Sequence, residues 1–115
     1  MYQFSYGEII EEAATGSRAR ERDAMDRAIT LLEEAEREGL RSVKGVEALL
    51  YTRRLWAIML EDLARTDNDL PRELRANLIS IGFWILKEAE RVRNGEIQSV
   101  RTMIEITSII RDGLK

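Results

Sequence analysis

Apolar residues recur at three- and four-residue intervals along most of this chain, and glycine, serine or proline interrupts the pattern at three places. A helical period of that kind predicts four amphipathic helices. The first is expected to start after Ser17, a good N-cap, and to run to about Glu38, where Gly39 stops it. Met25, Ala28, Ile29, Leu32 and Ala35 form its narrow apolar stripe, while Asp23 and Arg27, and Glu33 and Arg37, stand four apart on a solvated face. The second helix is expected from near Ser42 to about Ala64, with Val46, Leu49, Leu50, Leu60 and Leu63 on one face. Its middle, Leu55–Leu60, is apolar all round, which requires either burial between neighbours or an exposed apolar patch.

The acidic Asp67-Asn68-Asp69 loop leads to Pro71, suited to the first position of a third helix, with Glu73 expected at its third position. That helix is expected to end at Asn94-Gly95, where glycine supplies a left-handed cap. Leu74, Leu78, Ile81, Ile85, Ala89 and Val92 are its core stripe; Ile79, Phe83 and Leu86 lie off the stripe and need a second cover. Gly82 costs about 1 kcal/mol against alanine in mid-helix, so it marks a close backbone crossing or a docking notch. A fourth helix is expected over about Ile97–Arg111, with Arg101, Glu105, Ser108 and Asp112 polar, and Val100, Met103, Ile104, Ile106 and Ile110 on a broad apolar arc. Short loops between the later helices make them antiparallel neighbours. Residues 1–16 alternate aromatic and polar side chains through Tyr2, Phe4 and Tyr6, with no second strand to pair with, and read as an arm. The expected fold is all-α: residues 1–115 as one four-helix bundle-like domain, with the bundle over residues 17–115 and a short N-terminal aromatic arm.

Composition narrows the function by exclusion. The chain has no cysteine and no histidine, which removes thiol nucleophiles, thiolate metal sites and the side chain that titrates near neutral pH. No pair of carboxylates is placed to be buried together for acid–base work. No catalytic, metal or cofactor-binding residue is therefore expected. DNDLPRELRANL has the acidic spacing that opens a calcium loop but lacks its glycine and terminal acid. The net charge of −3 provides no global positive field for a phosphate backbone, so no direct DNA binding is expected. The arginines near the start of the first helix, Arg18, Arg20 and Arg22, interleave with Glu21, Asp23 and Asp26 as on a solvated face. The opening residues have neither a basic segment nor an apolar run of secretory type, and Ala76–Leu86 is far too short to span a bilayer, so a cytoplasmic protein without membrane insertion is expected.

Binding is the class that remains. Arg53-Arg54 beside Leu55-Trp56 reads either as a basic–aromatic patch for nucleic acid or as a helical ion pair, with Glu47 or Glu61, beside a core tryptophan. Asn77 is either a satisfied buried amide or a partner contact. The second and third helices are apolar on more than one side, and an uncovered strip around Trp56, Ile79 and Phe83 is the natural seat for an amphipathic partner helix. The arm aromatics Tyr2, Phe4 and Tyr6 are candidate parts of its wall or lid.

Several longer segments resemble the flagellar biosynthesis regulator family FlaF: Tyr2-Gln3, Arg53-Arg54-Leu55-Trp56, Leu70-Pro71, Leu74-Arg75-Ala76-Asn77-Leu78-Ile79-Ser80-Ile81 and Arg111-Asp112-Gly113-Leu114. The resemblance covers nearly the whole chain; Thr107 departs from it, standing where an asparagine is expected after Glu105-Ile106. It implies a small cytoplasmic factor, without enzymatic activity, that binds flagellin, serves flagellin synthesis and export, and works with an FlbT-type regulator of flagellin translation. Flagellin's polymerising ends are amphipathic and bury their apolar stripes only in the filament, so a bundle with a spare groove could cover them beforehand. Two other readings stay open: an RNA-binding post-transcriptional regulator of flagellin expression, and a scaffold for the FlbT-type regulator alone.

Overall fold

The computed structural model describes residues 18–113, with the Arg18 side chain left aside. The arm of residues 1–16, with Tyr2, Phe4 and Tyr6, and the Ser17 cap lie outside the described residues. The helices are α1 (Arg18–Glu38), α2 (Val43–Leu63), α3 (Arg72–Arg93) and α4 (Arg101–Gly113), and no strand occurs among the described residues. The fold is all-α, as the periodicity predicts.

Local chemistry sets most of the boundaries. Gly39 takes φ +109°, and its N–H reaches the Ala35 carbonyl at 2.9 Å, closing α1 in a left-handed turn. The Ser42 hydroxyl accepts from the Gly45 N–H at 3.2 Å and donates to the Gly39 carbonyl at 2.6 Å, so one side chain ends one helix and starts the next. A Cβ at Gly45 would stand 2.2 Å from the Leu40 carbonyl oxygen, which reserves that position for glycine. Before α3, the Asn68 amide donates to the Asp62 carbonyl at 3.2 Å and its oxygen accepts from the Leu70 N–H at 3.0 Å, folding the acidic loop on itself. Pro71 then occupies the cap position itself, one residue earlier than expected, so Glu73 falls at the second helical position. At the far end Gly95 (φ +79°) and Glu96 donate to Val92 and Arg91 at 3.0 and 2.9 Å, a Schellman closure.

The start of α4 differs from expectation. Residues Ile97–Val100 are not helical, and the helix begins at Arg101. A tertiary contact is the reason: the Glu36 carboxylate, from the last turns of α1, accepts the Val100 N–H. Ser99 Oγ accepts from the Arg101 N–H at 3.1 Å. A carboxylate there also meets the positive end of the α4 dipole.

The helices run alternately up and down. Glu34 pairs with Lys44 across α1 and α2 at 3.8 Å, and Arg75 Nε donates to the Leu63 carbonyl across α2 and α3 at 3.1 Å. Arg111 meets Asp26 at 2.8 Å across α4 and α1. Closely packed pairs are α1 with α2, α1 with α4, and α2 with α3. Among the described residues, then, α1 packs closely on two neighbours and α3 on α2, with no close packing between α3 and α4.

Met25, Leu32, Tyr51, Leu55, Trp56, Ile85 and Met103 are among the fully buried side chains that fill the middle. The expected stripes of α1 hold: Met25, Ala28, Ile29, Leu32 and Ala35 are all buried. On α2 the expected face is wrong in part. Leu49 and Leu63 are buried, but Val46 and Leu50 are exposed, and the buried face is Ala48, Tyr51, Thr52, Leu55, Trp56 and Met59. Because α2 is apolar on two sides, its own pattern could not tell which side meets α1. Gly82 resolves as a close crossing: a Cβ there would lie 2.7 Å from Leu60 Cδ2 and 2.9 Å from Trp56 Cε3.

Candidate functional site

The outer junction of α2 and α3 holds a cleft of about 300 Å³ lined by Leu40, Val46, Leu49, Leu50 and Val92, with Arg41, Arg53 and Arg93 among its lining. Leu50 and Arg53 also line a second hollow, with Arg54, Ala57 and Leu86. The two form one groove running along the helix pair.

Helical geometry accounts for the groove. On α2, Val46, Leu50, Arg53 and Ala57 recur at four-, three- and four-residue steps, so they form one edge beside the buried face. On α3, Ile79 and Leu86 stand two turns apart on the facing edge, both half-buried against the core, and Phe83 lies roughly 60° outward from that line. Phe83 is 62% exposed, a large apolar ring in solvent one turn before Leu86, which lines the groove. The groove is held open by the same close crossing that Gly82 permits, because α3 settles onto Trp56 and Leu60 instead of spreading over Val46 and Leu50.

The polar groups around the groove are mainly arginines. Arg41 Nη1 donates to the Arg93 carbonyl at 3.2 Å, capping the C-terminus of α3 from the turn before α2. Its Nη2 lies 2.4 Å from where a Cβ would be on Gly95, so that glycine serves both its positive φ and the passage of this guanidinium. Arg93 pairs with Glu90. That hydrogen bond, with the charges of Arg93 and Arg53, holds the Glu90 carboxyl below the usual carboxylate range, and the pairing holds Arg93 above its ordinary value. At the opposite end of α2, Arg65 and Asp67 pair at 2.9 Å in open solvent, which lowers the Asp67 carboxyl.

The sequence-predicted residues divide. Ile79, half-buried, and Phe83, exposed, stand two turns and one turn before the groove residue Leu86 on α3, and neither lines the groove itself. Trp56 lies inside the core, fully buried beneath Gly82, so the expected outer strip does not include it. Asn77 is exposed, but it sits roughly 200° around the helix from Ile79 and is not brought to the groove. Tyr2, Phe4 and Tyr6 lie outside the described residues. Sequence reasoning missed Val46, Leu50, Arg41 and the partnership of Arg53 with the groove. The spacing of Val46, Leu50, Arg53 and Ala57 is a usable signal, but Val46 and Leu50 also fit the apolar face of Leu49, Leu60 and Leu63, with which the pattern groups them.

No group of three or more potential metal-ligating side chains occurs among the described residues. No helix among them is long and apolar enough to cross a membrane. Residues 2–114 match the family model of flagellar protein FlaF. Neither a curated protein nor a solved structure matches the chain.

Proposed function

The chain belongs to the flagellar protein FlaF family, and on that premise we propose that it is a flagellin-binding export chaperone and regulator of flagellin synthesis and secretion. Membership places it in flagellar biosynthesis, in a family not known for enzymes; the binding role is our reading of the groove. An amphipathic flagellin segment lays its apolar stripe against Val46, Leu50, Leu86 and Phe83 in the cytoplasm and is kept from premature pairing until export. An FlbT-type regulator is a second partner in this reading, bound elsewhere on the bundle.

The observation that carries the proposal is the aliphatic lining of Val46, Leu50 and Leu86, with Phe83, 62% exposed, one helical turn before Leu86 on α3. Isolated exposed apolar residues need no explanation, whereas one continuous with such a groove points to a docking surface. Titration calorimetry of purified flagellin with the wild type and with Phe83→Glu tests it. The variant should bind at least tenfold more weakly, with unchanged helicity and melting, since its side chain makes no core contact of consequence. Unchanged flagellin affinity would sink the proposal, and so would unfolding, which would show Phe83 to be a core residue.

A further inference from the structure

We propose that the groove between α2 and α3 selects an amphipathic helix of about three turns whose apolar stripe is flanked by carboxylates. This deepens the flagellin-binding reading and rests on it for the biological partner, but it is argued from the groove alone.

Shape gives the secondary structure of the occupant. The exposed edge of α2 runs from Val46 to Ala57, a rise of roughly 16 Å at 1.5 Å per residue. The facing edge of α3 runs antiparallel to it from Leu86 to Arg93, two turns apart, and both residues line the groove. Two neighbouring helices offering ridges at three- and four-residue intervals are the surface into which a third helix packs. A peptide added as a β-strand would need a sheet edge to pair with, and no strand occurs among the described residues.

Charge gives the flanks. The chain as a whole is acidic, with 21 Asp and Glu against 18 Lys and Arg. The groove lining reverses that balance: Arg41, Arg53, Arg54 and Arg93 line its two hollows, and no Asp or Glu among the described residues does. Part of this charge is compensated, because Glu90 pairs with Arg93 and lies in the field of Arg53. Arg41 donates to a neutral carbonyl, and neither it nor Arg53 lies within ion-pair distance of a carboxylate among the described residues. Arginine beside an apolar strip accepts carboxylates bidentately while its stem covers hydrocarbon. A helix with glutamates beside its leucines would complete both interactions; one with lysines would meet like charge. The floor of Val46, Leu49, Leu50, Ala57, Leu86 and Val92 is aliphatic and suits the leucine stripe of a protein helix, while the net charge of −3 disfavours RNA.

The test uses the full-length chain and two designed 15-residue helical peptides with the same leucine stripe, flanked by glutamate in one and by lysine in the other. Affinities are measured by anisotropy at low and high salt, beside a single-stranded RNA oligomer and purified flagellin. The glutamate peptide should bind at least tenfold more tightly than the lysine peptide at low salt, and the gap should narrow as salt rises. Arg53→Glu, and separately Arg41→Glu, should shrink or reverse the preference. Arg53 is exposed, so that variant should melt like the wild type, and it covers the case in which losing the Arg41 cap disturbs α3. Equal binding of the two peptides would overturn the inference, as would an unchanged preference in Arg53→Glu, or RNA binding at least as tight as the glutamate peptide. Flagellin separates this inference from the functional reading. Loss of flagellin binding in Phe83→Glu without a glutamate preference would refute the charge selection alone. A glutamate preference without flagellin binding would support the selection and remove flagellin as the partner.

Discussion

α1 and α3 are nearly equal in length, 21 and 22 residues, yet they meet opposite fates in the bundle. α1 lies between α2 and α4, and Ala24, Met25, Ala28, Leu32 and Ala35 are sealed completely. Among the described residues α3 packs closely on α2 only, burying Leu78, Ile85, Ala89 and Val92 while Leu74, Phe83 and Trp84 face solvent. Both have an amphipathic pattern, but α3 carries more apolar surface than α2 can cover. A helix with a surplus of that kind is built for a further contact, whereas a helix without one is built for the core. The comparison assigns α1 to the scaffold and α3, with the outer edge of α2, to binding.

The sharpest way to break this division is to truncate the two aromatics that lie closest to its boundary. Trp56 is on the inner side of the α2–α3 contact and Phe83 on the outer side. Trp56→Ala should lower the unfolding free energy by about 3–5 kcal/mol, the usual range for a large buried aromatic. Among the described residues its indole N–H has no hydrogen-bond partner, so the loss is one of packing alone. Phe83→Ala should change stability by no more than about 0.5 kcal/mol, as for a surface site. Urea denaturation of both variants checks the pair. Similar losses in the two would mean that the outer edge of α3 is core, and the scaffold-and-binding division would fail.

The sequence alone revealed much of this division, but unevenly. Gly39, Ser42 and Gly95 marked helix ends because capping is chemistry between residues a few positions apart, and each appears in its expected role. The surplus on α3 was also visible, since Phe83 lies off a stripe that is already complete. The start of α4 was hidden because Glu36, 64 positions before Val100, decides where the helix begins. The face of α2 was hidden for a different reason: Val46 and Leu50 are as apolar as Ala48 and Leu55, and only the placement of α1 and α3 chooses between them. The arginine lining needed the α2–α3 register, because Arg41 and Arg93 are 52 positions apart in the chain. Trp56 is expected in the outer strip because the middle of α2 is apolar all round, whereas the crossing at Gly82 places it inside.

A smaller effect sharpens the comparison at that crossing. Gly82→Leu would force a side chain into space already held by Leu60 and the Trp56 ring, pushing α3 off α2. Overpacking of this kind costs about 1–3 kcal/mol. Its signature should be regional: amide hydrogen exchange should quicken along α3 while the protected amides of α1 keep their rates relative to global unfolding. Uniform acceleration in both helices would show that α3 is as integral to the core as α1.

The smallest expected effect is electrostatic and lies on the binding half. Arg93 donates to the Glu90 carboxylate, and this hydrogen bond, joined by the charges of Arg93 and Arg53, depresses the Glu90 pKa in the folded chain. A carboxyl depressed by folding contributes stability that is fully present above its ordinary unfolded pKa and is lost as pH falls through the depressed folded value. Both residues lie in solvent, so the contribution is small and screened by salt. A carboxyl-detected NMR titration should place Glu90 below the ordinary glutamate midpoint, and Arg93→Gln should move it back up. In Glu90→Gln the slope of stability against pH should flatten slightly on the acid side and remain unchanged at neutral pH. An ordinary Glu90 midpoint in the wild type would mean that Glu90 does not hold Arg93. The arginine charge at the groove would then be larger than inferred, with a correspondingly stronger preference for an acidic helix.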